Sequence, residues 1–330
     1  MKTSDAARAG LDRAGRHLVE CRLCPRDCGV NRSSGQLGWC GAGRQARCYL
    51  DFVHYGEEAE LAPSHTVYLT GCNLRCLFCH TAEERKTRPA RLLTPAGLAE
   101  LVARGRAQGA RNLNILGGEP TVNLPALLEL FATAEDLPPL VWNSNLYATA
   151  EALAMVEPLV DTYLPDLKFG NAACAARLAG AEDYWDVVRA RLLKLPRART
   201  IVRHLALPGH FDCCTRPALQ WLAEAMPGVR VSLKLDYLVM PAARADAALG
   251  RFLRADEARQ AREFAESLGL KLLAQAPPPA DAPGEGPGSG IDVEMVISPE
   301  GGIYLRHPTR EAAALARSLK GNPEPPRRAP

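Results

Sequence analysis

The chain has 330 residues, with 40 Lys and Arg against 37 Asp and Glu, for a formal net charge of +3. That near balance excludes the field of a nucleic-acid coat or an acidic tail, and no nucleic-acid partner is expected. Apolar residues at 47% and charged residues at 23% exclude wholesale disorder. No apolar run is long enough for a membrane-spanning helix. The N-terminus is polar with no apolar core segment, so neither a signal peptide nor a membrane association is expected, and the location is expected to be cytoplasmic.

Residues 1–60 read as a polar helix over 1–20, then a Gly- and Cys-rich, loop-like element that binds metal. A core domain over 61–275 follows. From Thr66 the run TVYLTGC is strand-like, and LTPAGLAELVARGRAQGA is a helix with Thr94 as N-cap and Pro95 at its first position. NLNILGG is a short strand ending in glycines, LPALLELFATAEDL is helical, PLVWNSN is a strand and ATAEALAMVEPLV is helical. DTYLPDLKFG is a strand, DYWDVVRARLLKL a helix, TIVRHLALPG a strand and RPALQWLAEAM a helix. VRVSLKLDYLV is a strand, ADEARQAREFAESLG a helix and LKLLA a final strand. Strand and helix alternate about six times, the pattern of an α/β fold with a parallel sheet closed or partly closed into a barrel. Residues 276–290 are a Pro/Gly linker. Residues 291–330 form a C-terminal extension: a hairpin turning at Pro299-Glu300-Gly301-Gly302, then a helical stretch and a Pro/Arg tail.

The eleven cysteines are grouped. Cys72, Cys76 and Cys79 stand in a C-x3-C-x2-C loop at the end of the TVYLT strand, which is the functional end of an α/β barrel. Three thiolates on one loop suit three irons of a [4Fe–4S] cluster and leave the fourth iron open. The competing reading is a zinc site completed by His80 or another residue. Cys21, Cys24, Cys28 and Cys40 precede the barrel and make a closed four-thiolate set, suited to structural zinc or to a second cluster. The adjacent pair Cys213-Cys214 suits neither a shared cluster nor an easy mutual disulfide, and reads as ordinary residues.

The loop CNLRCLFCH, with Phe78 before its third cysteine, resembles the hallmark of the radical S-adenosylmethionine (SAM) superfamily, C-x3-C-x-aromatic-C. The segment Gly117-Gly118-Glu119-Pro120, which follows a strand, resembles the same superfamily's GGEP element. The loop is similar to that of pyruvate formate-lyase activating enzyme. The upstream CRLCPRDCGVNR, with Gly35, Gly38 and Cys40, is closer to a PflX-like branch, as are WNSN (142–145), YLPDLK (163–168) and RHLALPG (203–209). His80-Thr81 and Asp236-Tyr237 depart from that branch's pattern. The resemblance implies a partial parallel (β/α)6 barrel, a [4Fe–4S] cluster on Cys72, Cys76 and Cys79, SAM, and an electron donor such as flavodoxin or ferredoxin. It implies cofactor contacts from Gly117, Gly118 and Glu119, from Asn143 and Asn145, from the pair Asp166 and Lys168, and from Arg203 and His204.

Three functions follow as expectations. The first is a radical SAM enzyme acting on a protein or peptide, in the manner of a glycyl-radical activase. The second is a radical SAM enzyme acting on a small molecule in a biosynthetic pathway. The third is a zinc-dependent interaction module.

Overall fold

The computed structural model describes residues 3–56, 58–274, 294–297 and 303–306. The chain divides into two units, Met1–Pro277 and Pro278–Pro330. The first holds α1 (Thr3–Val19), β1 (Arg47–His54), β2 (Ser64–Leu69), α2 (Ala82–Thr87), β3 (Arg91–Leu92), α3 (Pro95–Ala107), β4 (Asn112–Gly117), α4 (Leu124–Thr133) and β5 (Leu140–Ser144). It continues with α5 (Ala150–Val156), β6 (Thr162–Pro165), α6 (Ala172–Ala179), α7 (Tyr184–Leu192), β7 (Ile201–Leu205), α8 (Arg216–Ala225), β8 (Arg230–Lys234), α9 (Ala255–Ser267) and β9 (Lys271–Leu272).

One sheet has the order β3-β1-β2-β4-β5-β6 and a second the order β7-β8-β9. From β2 to β6, and from β7 to β9, every neighbour pair is parallel. The two sheets meet through parallel bridges, Tyr163 to Thr200 and Asp166 to Arg203, so the parallel strands continue into a partial α/β barrel. Helix termini follow local chemistry: Thr94 Oγ1 accepts from Gly97 N at 3.0 Å, and the Asn171 side chain accepts from Cys174 N at 2.8 Å.

Successive strand residues face opposite sides of a sheet, and here the two sides differ in chemistry. Trp142, Tyr163 and Val202 belong to the large core under the helices. Their neighbours Val141, Leu164 and Ile201 form a small separate cluster with Leu61 on the concave side. Two residues further along each strand direction, that concave side turns polar, with Asn143, Asp166 and Arg203. Along β5, β6 and β7 the concave side is therefore apolar at the strand starts and polar at the C-terminal ends, whereas β2 and β4 carry Thr66 and Asn114 at the lower level.

The elements differ from the sequence patterning in several places, α2 and β3 among them, which lie in a segment given no element. Residues 47–54, within the segment expected to be loop-like, form β1, which runs antiparallel to β2 with Asp51 opposite Val67. The short helix α6 lies in a segment given no element. The strand expected over 161–170 ends at Pro165, and the final strand is only Lys271–Leu272. In the second unit, β10 (Glu294–Ile297) and β11 (Ile303–Arg306) pair antiparallel, Glu294 opposite Arg306 and Ile297 opposite Ile303. The turn expected at 299–302, the linker 276–290 and the tail after 306 lie outside the described residues.

Candidate metal and cofactor site

Strand β2 delivers the loop of Cys72, Cys76 and Cys79 to the barrel rim, and the turn after β4 clamps its first residue. Gly118 N donates to Leu69 O at 2.8 Å, and Glu119 N donates to Gly71 O at 2.9 Å. Gly117 has φ +117, and a Cβ on Gly118 would run into Gly71 O, so this close approach of two backbones requires glycine at both positions. Cys72 is buried and burial pushes its thiol up to about 12; Cys76 is likewise pushed up by burial. A metal that binds here must displace those protons, which a soft cation does.

Glu119 is buried beside the loop, and its carboxylate accepts from Ser144 Oγ at 2.7 Å, Asn145 N at 2.8 Å and Thr121 N at 3.0 Å. Burial raises its pKa, against those three donors. Glu119 thus joins the end of β4 to the end of β5. Asn145 Nδ2 donates to Asn73 Oδ1 at 2.9 Å, and Asn73 Nδ2 donates to Tyr147 O at 2.6 Å, so Asn145 braces the loop from below. Asn143 is also buried, and its Nδ2 has no partner; the amide of Asn114, on the neighbouring strand β4, is equally unpartnered. Two orphaned buried amides on the concave face fit a polar ligand.

Lys168 Nζ donates to Asp166 Oδ2 at 2.6 Å. Tyr184 OH donates to Asp166 O at 2.7 Å and accepts from Lys168 N at 3.1 Å, which fixes the segment. Burial opposes the Lys168 charge, but Asp166, Cys76 and Tyr184 outweigh it and hold the ammonium above the usual lysine range. The pair therefore stands close to the second loop cysteine. Arg203 and His204 are not brought to that point together. Arg203 is on the concave face but holds the buried Glu58 bidentately at 2.7 and 2.8 Å. His204 faces the helices, one nitrogen on Leu167 O at 2.6 Å and the other on Thr215 Oγ1 at 3.1 Å.

The N-terminal cysteine-rich element touches this loop at Cys40 and Arg26. Cys72 N donates to Cys40 O at 3.1 Å, and Arg26 Nε donates to Asn73 O at 3.0 Å. The guanidinium groups of Arg26 and Arg75 each lie 3.8 Å from the Trp39 ring centroid. Buried Arg32 donates to Cys21 Sγ at 3.0 Å and to Cys40 Sγ at 3.6 Å. A buried cation against two sulfurs is compensated when those sulfurs are thiolates, as they are on a metal. Sequence reasoning missed Asn73, Tyr184, Glu58 and Arg32. Asn73 and Arg32 carried a signal, one inside the cysteine loop and the other closing the CRLCPRDCGVNR segment.

The Radical SAM superfamily profile matches residues 66–222, the span from β2 into α8 that holds the loop, Glu119 and Lys168. An uncharacterized protein of Methanocaldococcus jannaschii is 32% identical over 260 residues, covering 77% of this chain and 76% of that protein. The chain belongs to the radical SAM superfamily. Shorter likenesses reach two other proteins. A 7-carboxy-7-deazaguanine synthase of Methanothermobacter thermautotrophicus is 32% identical over 88 residues, 27% of this chain and 36% of that one. A Haemophilus influenzae protein, provisionally named a glycyl-radical enzyme activating enzyme, is 30% identical over 107 residues, 31% of this chain and 40% of that one. The chain thus spans less than half of either. Superfamily membership implies an enzyme with a [4Fe–4S] cluster and SAM. The three thiols on one loop, with the orphaned amides of Asn143 and Asn114 on the concave face, fit those groups. No helix among the described residues is long and apolar enough to cross a membrane.

Proposed function

We infer that Cys72, Cys76 and Cys79 hold the [4Fe–4S] cluster of this radical SAM enzyme and that the concave rim beside them holds SAM. The observation that carries the reading is the joint placement of the three-cysteine loop, the Gly117-Gly118 clamp and buried Glu119 at one end of the barrel. When bound, the cluster and SAM supply a 5′-deoxyadenosyl radical that takes hydrogen from a substrate. The chain's own part is to position and to shield. Asn145 and Asn73 brace the loop, Lys168 offers a fixed cation for the SAM carboxylate, and Asn143 offers an unspent amide. Glu119 shapes the SAM site through β5. The N-terminal cysteines hold a separate metal that keeps the loop's outer side in place.

The substrate in this reading is a polypeptide, with a glycyl radical as product. The likeness of CNLRCLFCH to activating enzymes and the Haemophilus relative support it. The deazaguanine-synthase likeness favours a second reading, a small-molecule substrate. Deuterium tracing separates them. With deuterated candidate polypeptides and metabolites supplied in turn, label is expected in 5′-deoxyadenosine from a polypeptide, together with a glycyl doublet in its electron paramagnetic resonance spectrum. Transfer from a metabolite and from no polypeptide would establish the second reading instead.

A further inference from the structure

Outside the cluster loop and the N-terminal set, Cys174, His210 and Cys213 bring their ligand atoms within 4.8 Å of one another. Cys174 lies in the first turn of α6, and His210 and Cys213 lie in the connection after β7, where Phe211–Thr215 form a π-helical turn. Both segments sit at the C-terminal ends of adjacent barrel strands. They are held together independently of any metal. The Asn171 side chain accepts from Cys174 N at 2.8 Å and donates to Cys213 O at 2.5 Å.

The geometry is that of a metal site in two respects. The Cys174 and Cys213 sulfurs are 3.7 Å apart. Two thiolates on one tetrahedral zinc, at a Zn–S distance of about 2.3 Å, are about 3.8 Å apart. The imidazole of His210 is buried and already in the ligating tautomer. Its Nδ1 contacts Pro208 O at 2.8 Å, and because a carbonyl only accepts, Nδ1 carries the proton. That leaves Nε2 with the lone pair, and a ring nitrogen of His210 lies within 4.8 Å of both sulfurs; a backbone carbonyl on the other nitrogen is what fixes a metal-bound histidine. Nε2 now accepts from Arg177 Nη2 at 2.9 Å. Arg177 has a second partner in Asp246, so it can release Nε2 and remain paired.

We propose that Cys174, His210 and Cys213 form a Cys2His site for a thiophilic divalent cation, zinc in the first instance. Cys213 is exposed, so the fourth position opens to solvent. Binding releases the two thiol protons and forms two metal–sulfur bonds and one metal–nitrogen bond, with no change of oxidation state. The site reaches the cluster loop through α6, whose far end accepts at Ala179 O from Arg75 N at 3.0 Å and at Leu178 O from Leu77 N at 2.9 Å.

The test is anaerobic titration of the full, cluster-reconstituted chain with cobalt(II), then with zinc. Wild type is compared with Cys174→Ser/Cys213→Ser, and with Cys24→Ser to account for the N-terminal set. The double serine variant is expected to lose one equivalent of cobalt and its share of the sulfur-to-cobalt absorption, with its iron content unchanged. His210→Ala should weaken binding while keeping the sulfur-to-cobalt band. In unaltered protein, zinc should protect Cys174 and Cys213 from alkylation, read by peptide mass, so the result does not depend on a variant folding. Equal cobalt stoichiometry and spectrum in wild type and double variant, no zinc protection of these two cysteines, or a Cys174–Cys213 disulfide in metal-free, anaerobically purified protein that takes up no zinc after reduction would overturn the proposal.

Discussion

Lys168 is fixed by Asp166 at 2.6 Å and by Tyr184 through the backbone, so its ammonium is a preset charge at the rim. A charge-assisted hydrogen bond contributes about 1.5–3 kcal/mol. Lys168→Ala is therefore expected to weaken SAM binding about 10–150-fold, with cluster iron unchanged, as equilibrium binding to the anaerobic holoenzyme would show. Unchanged affinity would remove Lys168 from the site. Glu119 makes a different prediction, because both of its oxygens accept and every partner donates. Glu119→Gln turns an NH2 group against one of those donors and should lower unfolding stability by about 1–3 kcal/mol, read by denaturant melting. A variant as stable as wild type would show that these bonds do not carry the junction. The loop cysteines and Glu119 were legible in the sequence because their chemistry is local: a short spacing on one loop and a four-residue turn. Arg203 and His204 were legible as a segment but not as a site. Neighbouring strand residues face opposite sides, so at most one of them reaches the concave rim, and Glu58 holds that one. Nothing in the residues around Glu58 marks a carboxylate that reaches 145 positions along the chain.

At the scale of elements, α9 is tied to the body through Glu257 in its first turn. The carboxylate accepts from Arg251 at 2.6 and 2.8 Å, from Arg254 N at 3.0 Å and from Gly209 N, after β7, at 2.8 Å. The Arg251 guanidinium, more than any other group, pulls its pKa from 4.5 down to about 2. A carboxylate depressed on folding stabilises fully above its unfolded value, and that stability is lost as pH falls through the folded one. Wild type should therefore lose stability between about pH 4.5 and pH 2 relative to Glu257→Gln, whose own deficit near neutral pH, after discounting for solvent screening of a partly exposed pair, is on the order of 2 kcal/mol. Parallel pH profiles for the two proteins would rule this out. The parallel strands and long helices were readable because period two and period 3.6 alternate cleanly along residues 66–275. β1 was not, because it lies in a Cys- and Gly-rich segment and gains its partner only when β2 arrives. α6 was not, because its eight residues between an Asn cap and Gly180 are too few to show a period. The Cys174–Cys213 contact spans 39 positions, and no local pattern announces it.

At the scale of the whole first unit, the N-terminal cysteine element, the cluster loop and α6 form one continuous contact. Cys40 O meets Cys72 N on one side, and the α6 carbonyls meet Arg75 N and Leu77 N on the other. The proposed metal in the N-terminal element would stabilise that packing, since metal affinity at a four-thiolate site is coupled to folding. Cys24→Ala is expected to lower the melting temperature and remove one metal equivalent, while SAM cleavage per bound barrel cluster persists. Full stability with unchanged metal content would refute a closed site. Whether that element takes zinc or a cluster was not legible, because both use the same four thiolates.

Cys72, Cys76 and Cys79 are proposed to carry the cluster that cleaves SAM. The measurement is iron content and 5′-deoxyadenosine formation in anaerobically reconstituted, reduced protein, wild type against Cys72→Ala/Cys76→Ala/Cys79→Ala. Wild type is expected to bind about four irons at this site and form 5′-deoxyadenosine. The triple variant is expected to lose those irons and the product while retaining metal at the N-terminal cysteines. Equal iron and equal 5′-deoxyadenosine in the two proteins would show that these cysteines do not hold the cluster.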